Sequence, residues 1–285
     1  MSSWTVALLF EQLRRYAGIL RRSGHSNGSA EERLAAAMRE DFNRFLVRDG
    51  TVTGYAEFNP AGGTPELLLH PSDRRTGVSY SLLPMLQAIL GALFTAEQLE
   101  HHLGLIRTRL RFPDGVRLMD RPLVYRGGPQ VLFQRAESAA FFGREIGLMY
   151  THAHLRYAQA MAVLGEAQEM WDALLLVNPI AVTDRLSEAA LLQRNTYFSS
   201  SDAAFTDRYQ ASAEWPRVRE GAIAVDGGWR IYSSGPGLYV NVLIVHALGA
   251  RRELGARSLR PCLPAALRDL RLEWGAGPRP GSRLR

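Results

Sequence analysis

Two side chains that can bind an anion, His152 and Arg156, stand four residues apart near the start of a predicted helix. A glycine-bearing segment, residues 143–150, runs into this helix, and the spacing places both side chains on one helical face. The free N–H groups and the dipole at a helix N-terminus favour a negatively charged ligand. The pattern therefore indicates an anion site. The alternative is an ordinary surface pair, with Glu145 as an acidic first-turn residue.

Small hydroxyl residues and glycines precede another predicted helix in residues 226–237, which read DGGWRIYSSGPG. Such a turn allows backbone N–H groups to converge on an oxyanion. The segment has neither the lysine nor the spacing of a Walker motif. It indicates either a second anion-binding turn or a glycine-rich turn through which a buried helix enters the core.

Aromatic residues are interleaved with hydroxyl and acidic residues in segment 197–209, YFSSSDAAFTDRY. This mixture suits a sugar subsite, where rings stack on the sugar and polar groups bond its hydroxyls. A capped helix start, with Ser201 or Asp202 as the N-cap, explains it as well. Glycoside chemistry by paired carboxylates needs one acid with a raised pKa. The spacing selects none of the available carboxylates, which are Glu137, Glu145, Asp202, Asp207 and Asp226.

Helical periodicity dominates the elements that must position these residues. Apolar stripes occupy residues 6–20, 34–46, 82–94, 99–110, 150–164, 170–175 and 238–248. The last stripe is nearly all apolar and is expected to be deeply buried. Ser29 with Glu32, and Thr95 with Gln98, predict capping boxes at two helix starts. Strand signals are few and short, at 51–55, 116–119 and 229–232.

The order of these elements predicts an all-α fold. Helices come in pairs separated by a few residues, which indicates stacked helical hairpins. No fixed-period repeat occurs, which argues against an ordinary solenoid and leaves a closed helical toroid. Segments 112–142 and 194–228 are too long to be mere connectors and are expected to be functional loops.

Composition excludes several classes of protein. The 285 residues are 46% hydrophobic and 22% charged, as in ordinary globular proteins, and the single cysteine, Cys262, excludes an internal disulfide. No transmembrane stretch or signal peptide is seen, so a cytoplasmic protein without a membrane partner is expected. The net charge of +6 resides in residues 250–285, which hold nine arginines and three acids. All 34 basic residues are arginine, which favours compositional bias over a nucleic-acid patch.

Three segments match, in order, the motifs of one enzyme family. Residues 144–153 read REIGLMYTHA where the family has RENGGQYTHA, residues 177–180 read VNPI for LNPI, and residues 227–237 read GGWRIYSSGPG for GGWTWYTGSAG. The sequence therefore resembles the inverting glycoside phosphorylases, the cellobiose and chitobiose phosphorylase family (glycoside hydrolase family 94, formerly glycosyltransferase family 36). It also resembles the related domain of cyclic β-1,2-glucan synthases.

The resemblance implies a partial (α/α)6 toroid. It covers residues 1–255, as the C-terminal portion of a catalytic domain, and leaves an Arg-, Pro- and Gly-rich tail over residues 256–285. The reaction implied is reversible phosphorolysis of a β-linked di- or oligosaccharide to an α-sugar 1-phosphate. Inorganic phosphate is the co-substrate, and neither another cofactor nor a metal is implied.

Residue roles are carried over from the same motifs. By the family's pattern His152 contacts phosphate, Ser233 replaces a phosphate-binding threonine, and Ser234 donates its backbone N–H. Glu145 is expected to bond sugar hydroxyls near the cleavage point. Arg144 and Asp202 complete the expected substrate-binding set.

The departures from the family pattern also carry expectations. Ile146 and Met149 replace polar amides, which predicts a sugar specificity different from that of cellobiose phosphorylase proper. The family's general acid is the Asp of a GDWND loop, and no such loop occurs in this chain, so no catalytic residue is assigned. The chain is expected to begin just after that loop, to be inactive alone, and to form a homodimer or dock with an upstream part. A hydrolase on the same toroid and a non-catalytic glycan- or partner-binding module are the alternatives.

Overall fold

The computed structural model describes residues 1–123, 131, 149–178, 184–185, 189–191, 200–227, 234–253, 255–267 and 269–270. The helices are α1 (Ser3–Ser23), α2 (Ser29–Leu46), α3 (Leu82–Leu90), α4 (Ala96–Leu105), α5 (Thr151–Leu164), α6 (Ala167–Leu176), α7 (Arg208–Arg219) and α8 (Ser234–Asn241). A π-helical turn extends α4 over Ile106–Leu110, and another extends α8 over Val242–Ala247. The described residues are thus mostly helical, as the sequence predicts. None of the described helices combines the length and the hydropathy needed to cross a bilayer.

The strands are only two to four residues long. They are β1 (Val47–Arg48), β2 (Thr51–Val52), β3 (Tyr55–Glu57), β4 (Glu66–Leu68), β5 (Arg111–Phe112), β6 (Gly115–Val116), β7 (Met149–Tyr150), β8 (Ala189–Leu191), β9 (Ser200–Ala203), β10 (Val225–Gly227), β11 (Ala250–Glu253) and β12 (Ala256–Leu259). Strands β7, β9, β10 and β8 form a mixed sheet in that order. The other strands form antiparallel pairs of neighbours. The predicted strand at 229–232 lies outside the described residues.

Helices pack in two layers around a common core. In the first layer α1 contacts α3, α3 contacts α5, and α5 contacts α8, while α2 covers α1 and α6 covers α5. The second layer consists of α2, α4 and α6. Gln98 Nε2 of α4 donates to Asn43 Oδ1 of α2 at 2.7 Å, and Arg107, in the π-helical turn after α4, forms an ion pair with Glu169 of α6 at 2.7 Å. Apolar side chains from both layers meet in one buried cluster, which includes Phe42, Leu86, Ile106 and Met161.

Helix α1 carries apolar side chains on two faces. Phe10 and Ala17 of the predicted stripe are buried, whereas Leu9 of the same stripe is 50% exposed. Trp4, Tyr16 and Ile19 are also exposed. Only one face of this helix is therefore covered by the part of the chain that the structure describes.

The start of α2 differs from the prediction. The N-cap is Gly28, which has a φ of 66° and lends no side chain, so the capping box predicted at Ser29 and Glu32 is wrong. A Cβ at Gly28 would lie 2.7 Å from the carbonyl oxygen of Ala17, and this close approach together with the positive φ requires glycine. Further along, Leu34 is 53% exposed, because Ala35 takes the buried place expected for it.

The capping box predicted at the start of α4 is confirmed. Thr95 Oγ1 accepts the Gln98 N–H at 3.2 Å, and Gln98 Oε1 accepts the Thr95 N–H at 3.0 Å. We expect Thr95→Ala to lower the free energy of unfolding by about 1 kcal/mol, because one helix N–H loses its partner. Urea unfolding measures this change. Thr95→Ser, which keeps the hydroxyl, should stay near wild type, and an equal loss in both variants would contradict the capping role.

Segment 194–228 is not the irregular loop that was expected. It contains β9, β10 and α7, and α7 packs its Trp215 against Phe112 with ring centroids 5.9 Å apart. The Trp215 indole also donates to the backbone oxygen of Asp120 at 2.9 Å. The sequence interpretation of residues 197–209 as a sugar subsite or a capped helix start did not foresee that Phe205 is buried with Phe112 and Trp215 in a second small core.

The apolar stripe at 238–248 is less buried than predicted. Val242 and Ala247 are fully buried, but Val240 is 49% exposed. The regular helix ends at Asn241, and the π-helical turn that follows changes which side chains face α5. Beyond it, β11 pairs with β12, so a hairpin joins the two sides of position 255.

Candidate functional site

The start of α5 carries the first predicted site residue, His152. The helix begins at Thr151, directly after β7, and the N-cap residue Tyr150 offers no side-chain hydrogen bond to the first turn. The N-cap side chain therefore does not compete with a ligand for the N–H groups of that turn, and a helix N-terminus can bind an anion through them. Arg156 follows one turn later on the same face, as its spacing predicts.

The His152 ring is half-buried beside Tyr150. The two rings are parallel within 10°, with centroids 6.1 Å apart. Burial lowers the pKa of His152, and the nearby positive charge of Arg156 lowers it further. The imidazole is therefore neutral at neutral pH and can donate one hydrogen bond and accept another.

His152 is the one histidine whose ring forms no hydrogen bond with any residue that the structure describes. All seven histidines lie among the described residues, and six have a partner. Both ring nitrogens are bonded in His70, His102 and His154, and one is bonded in His25, His101 and His246. No hydrogen bond to the His152 ring is formed within the described ranges. Because half-buried polar groups normally find a partner, this ring is available to a ligand.

The second predicted segment is only partly described. Ser234 is the first residue of α8, and α8 packs against α5, which carries His152. Ser233 lies outside the described residues. The two helix starts predicted to share a ligand thus belong to neighbouring helices, although the serine side chains themselves are not described.

The third predicted segment reaches the same region through the sheet. Strand β9 pairs with β7, with Ser200 opposite Tyr150, so the strand that contains Asp202 lies beside the strand that leads into His152. The predicted N-cap at Ser201 or Asp202 is wrong. Asp207 is the N-cap of α7, and its Oδ1 accepts the N–H groups of residues 209 and 210 at 2.8 Å each. Arg144 and Glu145 lie outside the described residues.

A polar network below His152 was missed by the sequence analysis. Gln87 of α3 accepts a hydrogen bond from Arg156 Nη2 at 3.5 Å and donates to Glu11 of α1. Glu11 also pairs with Arg15 at 2.8 Å, and Arg156 donates to Gln159 through its other terminal nitrogen. The signal was visible, because Gln87 is the one polar residue in the apolar stretch LLPMLQAIL of α3.

The opposite face of α5 borders a cavity of about 300 Å³. Its lining includes His154, Tyr157, Glu169 and Arg111. Tyr157 donates to the Glu169 carboxylate, which also pairs with Arg107; burial opposes ionisation of Glu169, but these hydrogen bonds outweigh it and lower the pKa of Glu169. The polar groups there satisfy one another, unlike the His152 ring.

Comparison with known proteins bears on this arrangement. No family model matches the chain. A 1,2-β-oligoglucan phosphorylase of Listeria innocua serovar 6a (strain ATCC BAA-680 / CLIP 11262) is 44% identical over 270 residues. The alignment covers 95% of this chain and 24% of that enzyme, so the chain spans about a quarter of the length of its relative. Over nearly all of its length, this chain is therefore similar in sequence to part of a glycoside phosphorylase, as the motifs around His152, Asn178 and Trp229 indicate.

Proposed function

We propose that this chain forms the phosphate-binding part of an inverting glycoside phosphorylase site acting on β-1,2-linked oligoglucans. The products would be an α-glucose 1-phosphate and the shortened glucan. The observation that carries the proposal is the neutral, half-buried imidazole of His152, which has no hydrogen-bond partner among the described residues and stands at a helix start without an N-cap side-chain bond. The similarity to a 1,2-β-oligoglucan phosphorylase supports the choice of linkage.

The proposed fold is one part of an (α/α)6 toroid. Its support is the two-layer packing, in which α1, α3, α5 and α8 follow one another and α2 and α6 cover them. In such an arrangement the starts of α5 and α8 belong to adjacent helices of one layer. This layer would line the substrate side, and the residues at its helix starts would meet the phosphate.

The division of labour follows from hydrogen-bonding capacity. His152 would donate one N–H to a phosphate oxygen, and backbone N–H groups at the starts of α5 and α8 would donate further bonds, with the Ser233 hydroxyl beside Ser234. Glu145, Arg144 and Asp202 would bond sugar hydroxyls. The first set of contacts would hold the phosphate in place as the nucleophile, and the second set would hold the sugar that it attacks.

Protonation of the leaving oxygen requires a general acid, whose help is worth about a hundredfold to ten-thousandfold. The GDWND segment that supplies it in the family does not occur in the 285 residues. We therefore propose that the acid comes from another polypeptide segment.

We expect inorganic phosphate to stabilise this chain against thermal unfolding. At a concentration one hundred times the dissociation constant, one bound phosphate adds about 2.7 kcal/mol to the free energy of unfolding. Differential scanning calorimetry with phosphate, against chloride at equal ionic strength, measures the effect. Calorimetric titration then compares β-1,2- with β-1,4-linked oligoglucans. A chain that binds glucan but not phosphate would contradict the proposal and favour a hydrolase-like or non-catalytic module.

A further inference from the structure

The Arg156 guanidinium is half-buried and has only neutral partners. It donates to the side-chain oxygens of Gln87 and Gln159, and it forms no ion pair with any residue that the structure describes. Two amide oxygens satisfy two of its five N–H groups. A charge that is partly removed from water is normally paired directly with an opposite charge. Among the described residues Glu11 acts on this guanidinium only from beyond ion-pair distance, so Arg156 has no directly paired counter-ion there.

Gln87 separates Arg156 from the carboxylate that could neutralise it. Its Nε2 donates to Glu11 while its Oε1 accepts from Arg156, and Gln87 is itself only 3% exposed. The other Glu11 oxygen is taken by Arg15 at 2.8 Å. Both carboxylate oxygens of Glu11 are thus bonded. The side chain next to Arg156 is the Gln87 amide, which is neutral and cannot form the ion pair that a carboxylate would form there.

The surroundings of Arg156 carry an excess of positive charge. Arg15 and Arg251 lie close enough to act, with Arg156, on the buried His246, whose pKa falls to about 4 mainly through burial. Arg251 also lies 3.5 Å from His246 Nδ1. Against these three guanidinium groups, Glu11 is the one carboxylate that the described residues contribute to the network. A net positive, partly desolvated pocket of this kind binds an anion more strongly than a surface arginine does.

We infer that Arg156 is a second, cationic contact for the oxyanion that His152 binds, and that Gln87 keeps this guanidinium free of Glu11. The inference rests on the proposed function, since it assigns a further residue to the same phosphate. His152 would donate a neutral hydrogen bond and Arg156 a charge-assisted one, from positions one helical turn apart. An arginine with three unused N–H groups can bond two phosphate oxygens at once.

The test is calorimetric titration of inorganic phosphate into three variants of the full chain. Arg156→Gln should weaken phosphate binding by about 10- to 100-fold, as the loss of a charge-assisted bond does. Arg156→Lys keeps the charge without the fork and should fall between that variant and wild type. The control is Arg14→Gln, which removes one positive charge from α1 at a side chain bonded to the Gly91 carbonyl oxygen; its affinity should stay within about twofold of wild type.

Each outcome decides the inference. If Arg156→Gln binds phosphate as tightly as wild type, Arg156 is not a contact, while the proposed function stands. If wild type itself binds no phosphate, both proposals fail.

A second measurement does not depend on the affinity: the His152 pKa, followed by NMR without phosphate, should rise in Arg156→Gln, because the repelling charge is gone. An unchanged His152 pKa would show that the two side chains do not face one pocket, which also overturns the inference.

Discussion

Replacement of His152 by alanine is expected to reduce the phosphate-dependent stabilisation strongly while leaving the fold almost intact. The ring makes no hydrogen bond in the described part of the protein, so its removal leaves no donor or acceptor without a partner. We expect the free energy of unfolding without phosphate to change by less than about 1 kcal/mol. Phosphate affinity should fall by about 10- to 100-fold, because the lost bond is made to an anion.

The neighbouring His154 provides the matched comparison for that experiment. It lies two residues along the same helix, but its Nδ1 accepts the Val116 N–H at 3.1 Å and its Nε2 lies 2.8 Å from the Ala173 oxygen. His154→Ala should therefore destabilise the fold clearly, and the folded fraction should still bind phosphate. Calorimetric titration of both variants measures phosphate affinity, and urea unfolding of both measures stability. Together they separate phosphate binding by His152 from the structural role of His154. The assignment of His152 would be wrong if its alanine variant lost stability as His154→Ala does, or kept full phosphate affinity.

Much of the helical framework can be predicted from local sequence, and the errors have identifiable causes. The capping box at Thr95 is correct because both of its hydrogen bonds join residues three apart. The one at Ser29 fails because Gly28 must approach the backbone of α1, a long-range contact that local pattern does not contain. Leu9 and Leu34 fit the helical spacing of the predicted apolar stripes but are exposed, because spacing does not show how wide a face the neighbouring helix covers; the small Ala35 is buried beside the exposed Leu34.

The candidate site also combines features that local sequence predicts with features that depend on long-range contacts. Its position at a helix start, and the shared face of His152 and Arg156, follow from spacing alone. The missing hydrogen bond of His152 and the neutral partners of Arg156 do not, because they depend on contacts across the fold. Gln87 meets Glu11 across 76 residues of sequence and Arg156 across 69. A single glutamine in an apolar helix indicates a contact of this kind, but the sequence does not show which residue is its partner.

Mild acid should destabilise this protein because two deeply buried histidines, His102 and His154, are bonded as neutral rings. His102 and His154 are 0% and 2% exposed, and in each one ring nitrogen accepts a backbone N–H, from Val52 and Val116 respectively. Protonation would place a hydrogen on that nitrogen, so the ring N–H and the backbone N–H would point at each other and the hydrogen bond would be lost. Burial, the main cause, lowers the pKa of each ring from 6.5 to about 4.

The sign of the pH effect follows from proton binding. Between pH 6.5 and 4 the unfolded chain holds protons on these rings and the folded chain does not, so stability falls as the pH falls through that window. Each ring contributes on the order of 3 kcal/mol over the whole window. Because a domain of ordinary stability has about 5–15 kcal/mol in total, the two rings together are expected to remove a large fraction of the stability of the chain within this window.

Urea unfolding from pH 7 down to pH 4.5 measures this loss. The variant His154→Gln keeps an acceptor and a donor but cannot titrate, so its stability, whatever its value at pH 7, should depend less steeply on pH than that of wild type. Adding His102→Gln should flatten the dependence further, because the two rings titrate at separate sites. The control is His25→Gln at an exposed position, which should retain the wild-type slope. Equal slopes in wild type and the double variant would mean that other groups, such as carboxylates or the buried His246, and not these two histidines, set the acid limit of the fold.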